Sequence, residues 1–365
     1  MKKNFLFRLS AIAMSLILVA CGGSTSEDVV ENETTAIESE ESLNVVVTTP
    51  MLGEFVKQVA GDSVVLDILM PAEADPHTYD PSPQDAAKIA DADIVLYVGI
   101  KYETSSLLKL IENTASTNAT LLEIGEEIDP IEFIDGERDH GHHDDHDEEG
   151  HDDDKDHDHD DEDGHDDHDD EDGHDDHDEE GHEGHDHGSE DPHFWFDPVR
   201  VAMAVEVIKD SLVSLDPANS STYEANADNF ISELTDLDAQ VKELIESVSE
   251  DNRKIVTTHE ALGYLEARYG IEIFATIIPS LSTADEISPS QIADVIDVIE
   301  DNNIKVLFVE SEAPSVYAET VVAEAGITAV TGLYVETLKD GQTYSDFLIS
   351  NVTLIVESLN SAGEG

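Results

Sequence analysis

Residues 137–191 contain no aliphatic or aromatic side chain. A stretch of that length with nothing to bury cannot offset the entropy of ordering, so it is expected to be a disordered loop dividing whatever folds before it from whatever folds after it. The segment is built almost wholly of Asp, Glu, His and Gly, and it holds all but three of the 17 histidines. These are His140, His142, His143, His146, His151, His157, His159, His165, His168, His174, His177, His182, His185 and His187. A rough nine-residue repeat recurs, Gly164-His165-Asp166-Asp167-His168 and then Gly173-His174-Asp175-Asp176-His177. It lacks the paired glycines and the apolar residue of a calcium-binding β-helix turn. Its acids are not spaced as an EF-hand loop requires. Two readings stay open: many weak, exchangeable cation sites made of imidazoles among carboxylates, or a solvated acidic spacer.

On either side of this segment the sequence changes character. Residues 43–49, 64–70 and 94–99 are short apolar, β-branched runs, each followed by turn or helix-start residues, which reads as buried parallel strands. Between them Ser82-Pro83, ahead of Gln84 to Ala90, supplies the cap and first-turn proline of a helix. The same grammar returns after residue 253, with strands expected over 254–258, 271–277 and 305–309 and helices over 290–300 and 316–324. The fold class is therefore α/β: two lobes, each with a mostly parallel sheet flanked by helices.

Asp216-Pro217 opens a stretch in which Tyr223, Ala227, Phe230, Leu234, Leu237, Val241, Leu244 and Val248 recur at alternating spacings of four and three. That is one apolar stripe on one long rigid helix joining the lobes. About 30 residues at 1.5 Å each reach roughly 45 Å, the length of both lobes. A dimeric coiled coil is the rival, but four heptads in an unbroken α/β context favour packing within the chain, and hence a monomer. The expected organisation is an N-terminal lobe over 43–215, interrupted by the loop, a joining helix over 216–250 and a C-terminal lobe over 251–365.

Residues 1–20 read as an export signal, with Lys2, Lys3 and Arg8 ahead of an apolar stretch and Leu18-Val19-Ala20-Cys21 as a small-residue cleavage site. The apolar run is short of the roughly 20 residues that span a bilayer. The motif resembles a bacterial lipobox, which implies a lipid on Cys21 that anchors the mature chain to a membrane outside the cytoplasm. Residues 22–42, rich in Ser, Thr and Glu, suit a flexible tether. Cys21 is the one cysteine, so no disulfide can form within the chain and no thiolate cluster can bind metal. A net charge of -69 excludes nucleic acid as a natural partner and favours cations.

The remaining histidines are His77, His193 and His259. His77 lies in Asp75-Pro76-His77-Thr78-Tyr79, beyond an expected strand and before a helix, where an open α/β sheet places its ligands. His193 lies in Asp191-Pro192-His193-Phe194-Trp195, where the acidic loop rejoins the fold. His259 follows the strand 254–258 and begins His259-Glu260-Ala261-Leu262-Gly263-Tyr264. All three can converge on one crevice.

These proline-bracketed histidine motifs, in this order, resemble those of the zinc and manganese solute-binding lipoproteins of ABC importers, and the resemblance runs from Leu43 to Leu359. It implies that His77, His193 and His259 are metal ligands, with a carboxylate late in the second lobe as the fourth. Leu333-Tyr334-Val335-Glu336-Thr337-Leu338 resembles that segment and assigns Glu336, a Glu where Asp is usual; a water in its place is the alternative. It also implies two lobes with the metal between them, and a separate permease and ATPase as partners. The chain has no Gly-x-x-x-x-Gly-Lys-Ser/Thr loop with which to power transport itself.

Three imidazoles and one carboxylate suit tetrahedral Zn²⁺, whereas manganese prefers more oxygen. The manganese members differ by a carboxylate at the position of His259, and the loop resembles that of the zinc-specific members. Glu310 and Glu312 end a strand facing the crevice and are candidates to receive the second N–H of a metal-bound imidazole, or to cap the next helix. Other classes fare worse. A zinc hydrolase would need the second histidine of His-Glu-x-x-His, and position 263 is Gly. An adhesin would need an exposed apolar patch that so acidic a surface does not advertise.

Overall fold

The computed structural model describes residues 42–133, 190–312 and 316–363. The expectations for the export signal, Cys21, the tether and the histidine-rich loop fall outside them, apart from edge residues 42, 190 and 191.

The first half alternates strand and helix: β1 (Leu43–Val47), α1 (Pro50–Ala60), β2 (Val64–Ile68), α2 (Pro83–Ala90), β3 (Ile94–Tyr97), α3 (Ser105–Thr114) and β4 (Thr120–Glu123). All pairings are parallel and the sheet order is β2-β1-β3-β4. Val45, Val46 and Val47 are all buried, as expected of a central strand covered by helices on both faces. Ser82 caps α2 through a reciprocal box with Asp85, and Pro83 follows at the first helical position.

The second half repeats the plan with β5 (Lys254–His259), α6 (Gly263–Tyr269), β6 (Glu272–Ile278), α7 (Pro289–Asp301), β7 (Val306–Glu310), α8 (Val316–Ala325), β8 (Thr328–Leu333) and α9 (Tyr344–Gly363). Its order, β6-β5-β7-β8, is again all parallel. Ser288 and Gln291 form the matching capping box on α7. The architecture is thus the expected pair of parallel sheets flanked by helices.

Between the halves lie α4 (Pro198–Leu215) and α5 (Ser220–Glu246). The long helix begins later than residue 216, because Pro217–Asn219 forms a 3₁₀ turn and the Asp216 carboxylate accepts hydrogen bonds from Asn219 and Tyr223. The inward stripe runs as read through Val241, Ile245 takes the place of the half-buried Leu244, and Val248, just past the helix, is buried as read. An α-helix drifts about 20° per heptad against a strict seven-residue repeat, so by the last heptad the inner position has moved on by one residue. Helix α5 packs against α1, α4 and α9. One apolar cluster takes in residues of both sheets together with Phe194, Trp195 and Phe196. Among the described residues no helix is long and apolar enough to cross a membrane.

Candidate metal centre

His77 sits in the loop between β2 and α2. Asp75 turns the chain there: its Oδ1 accepts the His77 N–H at 3.0 Å, and its Oδ2 accepts the hydroxyl of Thr283 at 2.8 Å, from the loop after β6. Tyr79 anchors the same loop by donating to the Leu69 carbonyl and the Asp85 carboxylate. The His77 ring meets Tyr102 edge-on at 5.4 Å between centroids.

Tyr102 follows Ile100 and Lys101, both in the left-handed region (φ 51° and 61°). That is a costly conformation for a β-branched residue. Glu103 and Glu123 stabilise the turn by accepting the N–H groups of Val98, Gly99 and Ile100. The result aims the Tyr102 hydroxyl at the Glu336 carbonyl, 2.9 Å away.

His193 is placed by Asp191, whose Oδ1 accepts the His193 N–H at 2.9 Å and lies 2.7 Å from Nδ1. Two residues on, Trp195 donates its indole N–H to the Val335 carbonyl and accepts the Tyr344 hydroxyl on its own carbonyl. His259 is the last residue of β5. Glu310, the last residue of β7, accepts the His259 N–H at 3.0 Å with one oxygen and lies 2.5 Å from Nδ1 with the other. In both cases the carboxylate fixes the ring so that Nε2 faces away from it. Glu336 follows β8, and its own N–H and that of Val335 are accepted by Glu312.

These four side chains meet. The Oε1 atom of Glu336 lies 2.7 Å from Nε2 of His259, 3.4 Å from that of His77 and 3.5 Å from that of His193. One ligand atom from each residue can be chosen so that all lie within 4.8 Å of one another. Though close, the three Nε2 atoms and both Glu336 oxygens are buried and make no hydrogen bond of acceptable geometry. Five buried polar atoms left unpaired would cost several kcal/mol in total, at about 1–3 kcal/mol each, unless something binds them. Ligands at about 2.0–2.1 Å around a tetrahedral Zn²⁺ stand roughly 3.3 Å apart, within the spread seen here.

The electrostatics agree. Burial pushes the His193 imidazole down, but the Glu336 and Asp191 charges outweigh it and raise the pKa to about 9. For His259, burial is likewise outweighed by Glu310 and Glu336, and the shift is upward. Burial would raise the Glu336 carboxyl, yet the facing His193 and His77 hold it well below the usual range. Glu312, buried beside Glu336, is pushed up to about 8, by burial first and by the Glu336 charge second.

All four residues read from the motifs are therefore brought together. Glu310 holds the His259 imidazole, while Glu312 accepts the N–H groups of Val335 and Glu336. Asp191 escaped the reading, hidden as the last acid of a charge run. The available signal was the repeated tripeptide Asp-Pro-His at 75–77 and 191–193, which places a carboxylate two residues before a candidate ligand in both. Glu260, the partner that hydrolytic chemistry would need, turns its carboxylate to the Thr276 hydroxyl on β6.

A family model described as zinc-uptake complex component A, periplasmic, matches residues 45–358. The chain belongs to this family. Members of the zinc-uptake component family are solute-binding components of ABC importers and not enzymes. The zinc-binding lipoprotein AdcA of Streptococcus pneumoniae is 31% identical over 370 residues, which takes in 100% of this chain but 62% of that relative's length. The manganese-binding lipoprotein MntA of Halalkalibacterium halodurans is 25% identical over 364 residues, 98% of this chain and 99% of the relative. Among solved structures, the periplasmic zinc-binding protein TroA from Treponema pallidum superposes with a TM-score of 0.67 at 21% identity, covering 86% of this chain and 98% of that one. That last likeness is one of fold: two parallel α/β lobes.

Proposed function

We propose that the protein captures Zn²⁺ as cargo outside the cytoplasm and delivers it to the permease of an ABC importer, a separate ATPase driving the transfer. Nε2 of His77, His193 and His259 and the Glu336 carboxylate are the ligands, with Asp191 and Glu310 holding two of the imidazoles. The observation that carries this reading is the set of five mutually facing, buried and unpartnered ligand atoms. Three imidazoles favour zinc. The lipid on Cys21, the tether and the boundaries of the lobes belong to the same proposal, and so does a monomeric state. So does the role of the loop histidines as weak auxiliary sites that raise the local concentration of metal.

Manganese is the second reading, because both oxygens of Glu336 are unpartnered and a bidentate carboxylate would add the oxygen that Mn²⁺ prefers. A relative matched along 99% of its length is named for manganese. Isothermal titration with Zn²⁺ and Mn²⁺ of the full chain, a form lacking 137–189, and His77→Ala decides between them. One tight zinc equivalent that survives loop deletion and vanishes in His77→Ala is expected. Loss of the tight equivalent with the loop would reverse the roles, and tighter Mn²⁺ than Zn²⁺ would replace the cargo.

A further inference from the structure

We propose that Gly263, the first residue of α6 in the second lobe, is a positioning residue for His193 that acts through the carboxylate of Asp191; this rests on the metal-site reading above. An ideal Cβ at residue 263 would stand 2.5 Å from Oδ2 of Asp191, closer than real Cβ atoms come to a neighbour, and 3.6 Å from Cδ1 of Ile131. Oδ2 ends a side chain, and such an atom ordinarily moves aside at little cost. Here it cannot do so freely. The same carboxylate is held at Oδ1 by the main-chain N–H and Nδ1 of His193, and Asp191 is 3% exposed. Turning Oδ2 away from residue 263 turns Oδ1 away from the imidazole.

The main chain of Asp191 is fixed as well. Its N–H donates to the Ile131 carbonyl, and its carbonyl accepts the hydroxyl of Tyr264, the residue after the glycine. That hydroxyl in turn accepts the Ile131 N–H. The corner Gly263-Tyr264 thus grips Asp191 by its backbone while leaving the one gap into which its carboxylate fits. The backbone of Gly263 lies outside the left-handed region, so conformational freedom does not explain the glycine. Space for Asp191 does. The hexapeptide that begins with the ligand His259 therefore also sets the orientation of the ligand His193, which follows the acidic segment.

The test compares the full chain as wild type, Gly263→Ala, Asp191→Ala and the double variant. Zn²⁺ affinity is read by chelator competition, the Co²⁺ visible spectrum at less than one equivalent, and the melting temperature without metal. Displacing the buried carboxylate costs some stability in the metal-free chain too, so the metal-free melting temperature of Gly263→Ala should fall by no more than that of Asp191→Ala, which loses the carboxylate altogether. Zinc affinity should drop about 10- to 100-fold, the usual effect of disturbing a group behind a ligand. The Co²⁺ spectrum should move as it does in Asp191→Ala, and the double variant should bind no more weakly than Asp191→Ala alone. Wild-type affinity in Gly263→Ala, losses that multiply in the double variant, or a metal-free melting temperature lower than that of Asp191→Ala would each overturn the role of Gly263. Absence of a tight zinc equivalent in the wild type would instead sink the site itself.

Discussion

The two lobes have the same strand order, and the ends of their central strands can be compared directly. In the first lobe Glu103, just beyond β3, accepts the hydroxyl of Thr48, just beyond β1, at 2.6 Å, together with the N–H groups of Val98 and Gly99. In the second lobe Glu310, at the end of β7, accepts the N–H of His259, at the end of β5, and lies against its Nδ1. Both lobes tie neighbouring central strands with a buried glutamate. Where the partner is a hydroxyl the tie ends in the scaffold, and where it is an imidazole the tie leaves a second nitrogen facing the cleft. The binding chemistry is thus a local substitution on a structural device that both halves own.

That contrast can be broken most sharply by truncating the two partners. Structural zinc sites with four ligands bind with about 10–16 kcal/mol, so losing one ligand removes roughly 3 kcal/mol, or about 100-fold. His259→Ala should show that loss in zinc competition, while Thr48→Ala should leave the affinity at the wild-type value. Exchanging the glutamates comes next. Glu310→Gln should weaken zinc about 10- to 100-fold. Glu103→Gln should lower stability in urea by about 1–3 kcal/mol with no change in affinity. If Glu103→Gln weakened zinc as much as Glu310→Gln, the two ties would not differ in the way described.

Protons sharpen the comparison further, because the first tie holds no ring, whereas the His259 ring of the second tie, and the His193 ring that Asp191 holds beside it, both have a raised pKa. A histidine whose folded pKa is raised stabilises the fold fully below its unfolded value of about 6.5. His193, raised to about 9, loses that contribution as pH rises through about 9. Metal must displace the same proton, so zinc affinity should rise over that window while the metal-free melting temperature falls, by up to about tenfold in affinity per pH unit for each proton released. Affinity and melting temperature changing in the same direction would contradict the assignment. The smallest effect belongs to the rim: Thr283→Val removes the hydrogen bond to Asp75, about 1 kcal/mol, and should speed zinc release into a chelator by about fivefold in stopped flow.

Much of this was legible in the chain because the relevant signals are local. Proline-bracketed histidines, the Ser82-Pro83 helix start and the stripe on α5 each lie within a few residues of one another. The strands β4 and β8 were not read: the first has four residues, and the second is an edge strand whose Thr328, Ala329, Thr331 and Gly332 are exposed, so neither presents an apolar run. Helices α1, α3, α4, α6 and α9 were also passed over. Thr283 was illegible for another reason: it owes its role to Asp75, far away in sequence and near only after folding.

Helix α5 carries a consequence for turnover. It is seated in an apolar cluster continuous with both sheets, so swinging the halves apart like a hinged shell would wet that seam at about 25 cal/mol per Å². A body so stiffened acts as a fixed jaw. On the proposed capture of an ion, loading and unloading would then fall to the short loops around residues 75 and 283, which the Thr283 hydroxyl and the Asp75 carboxylate latch together.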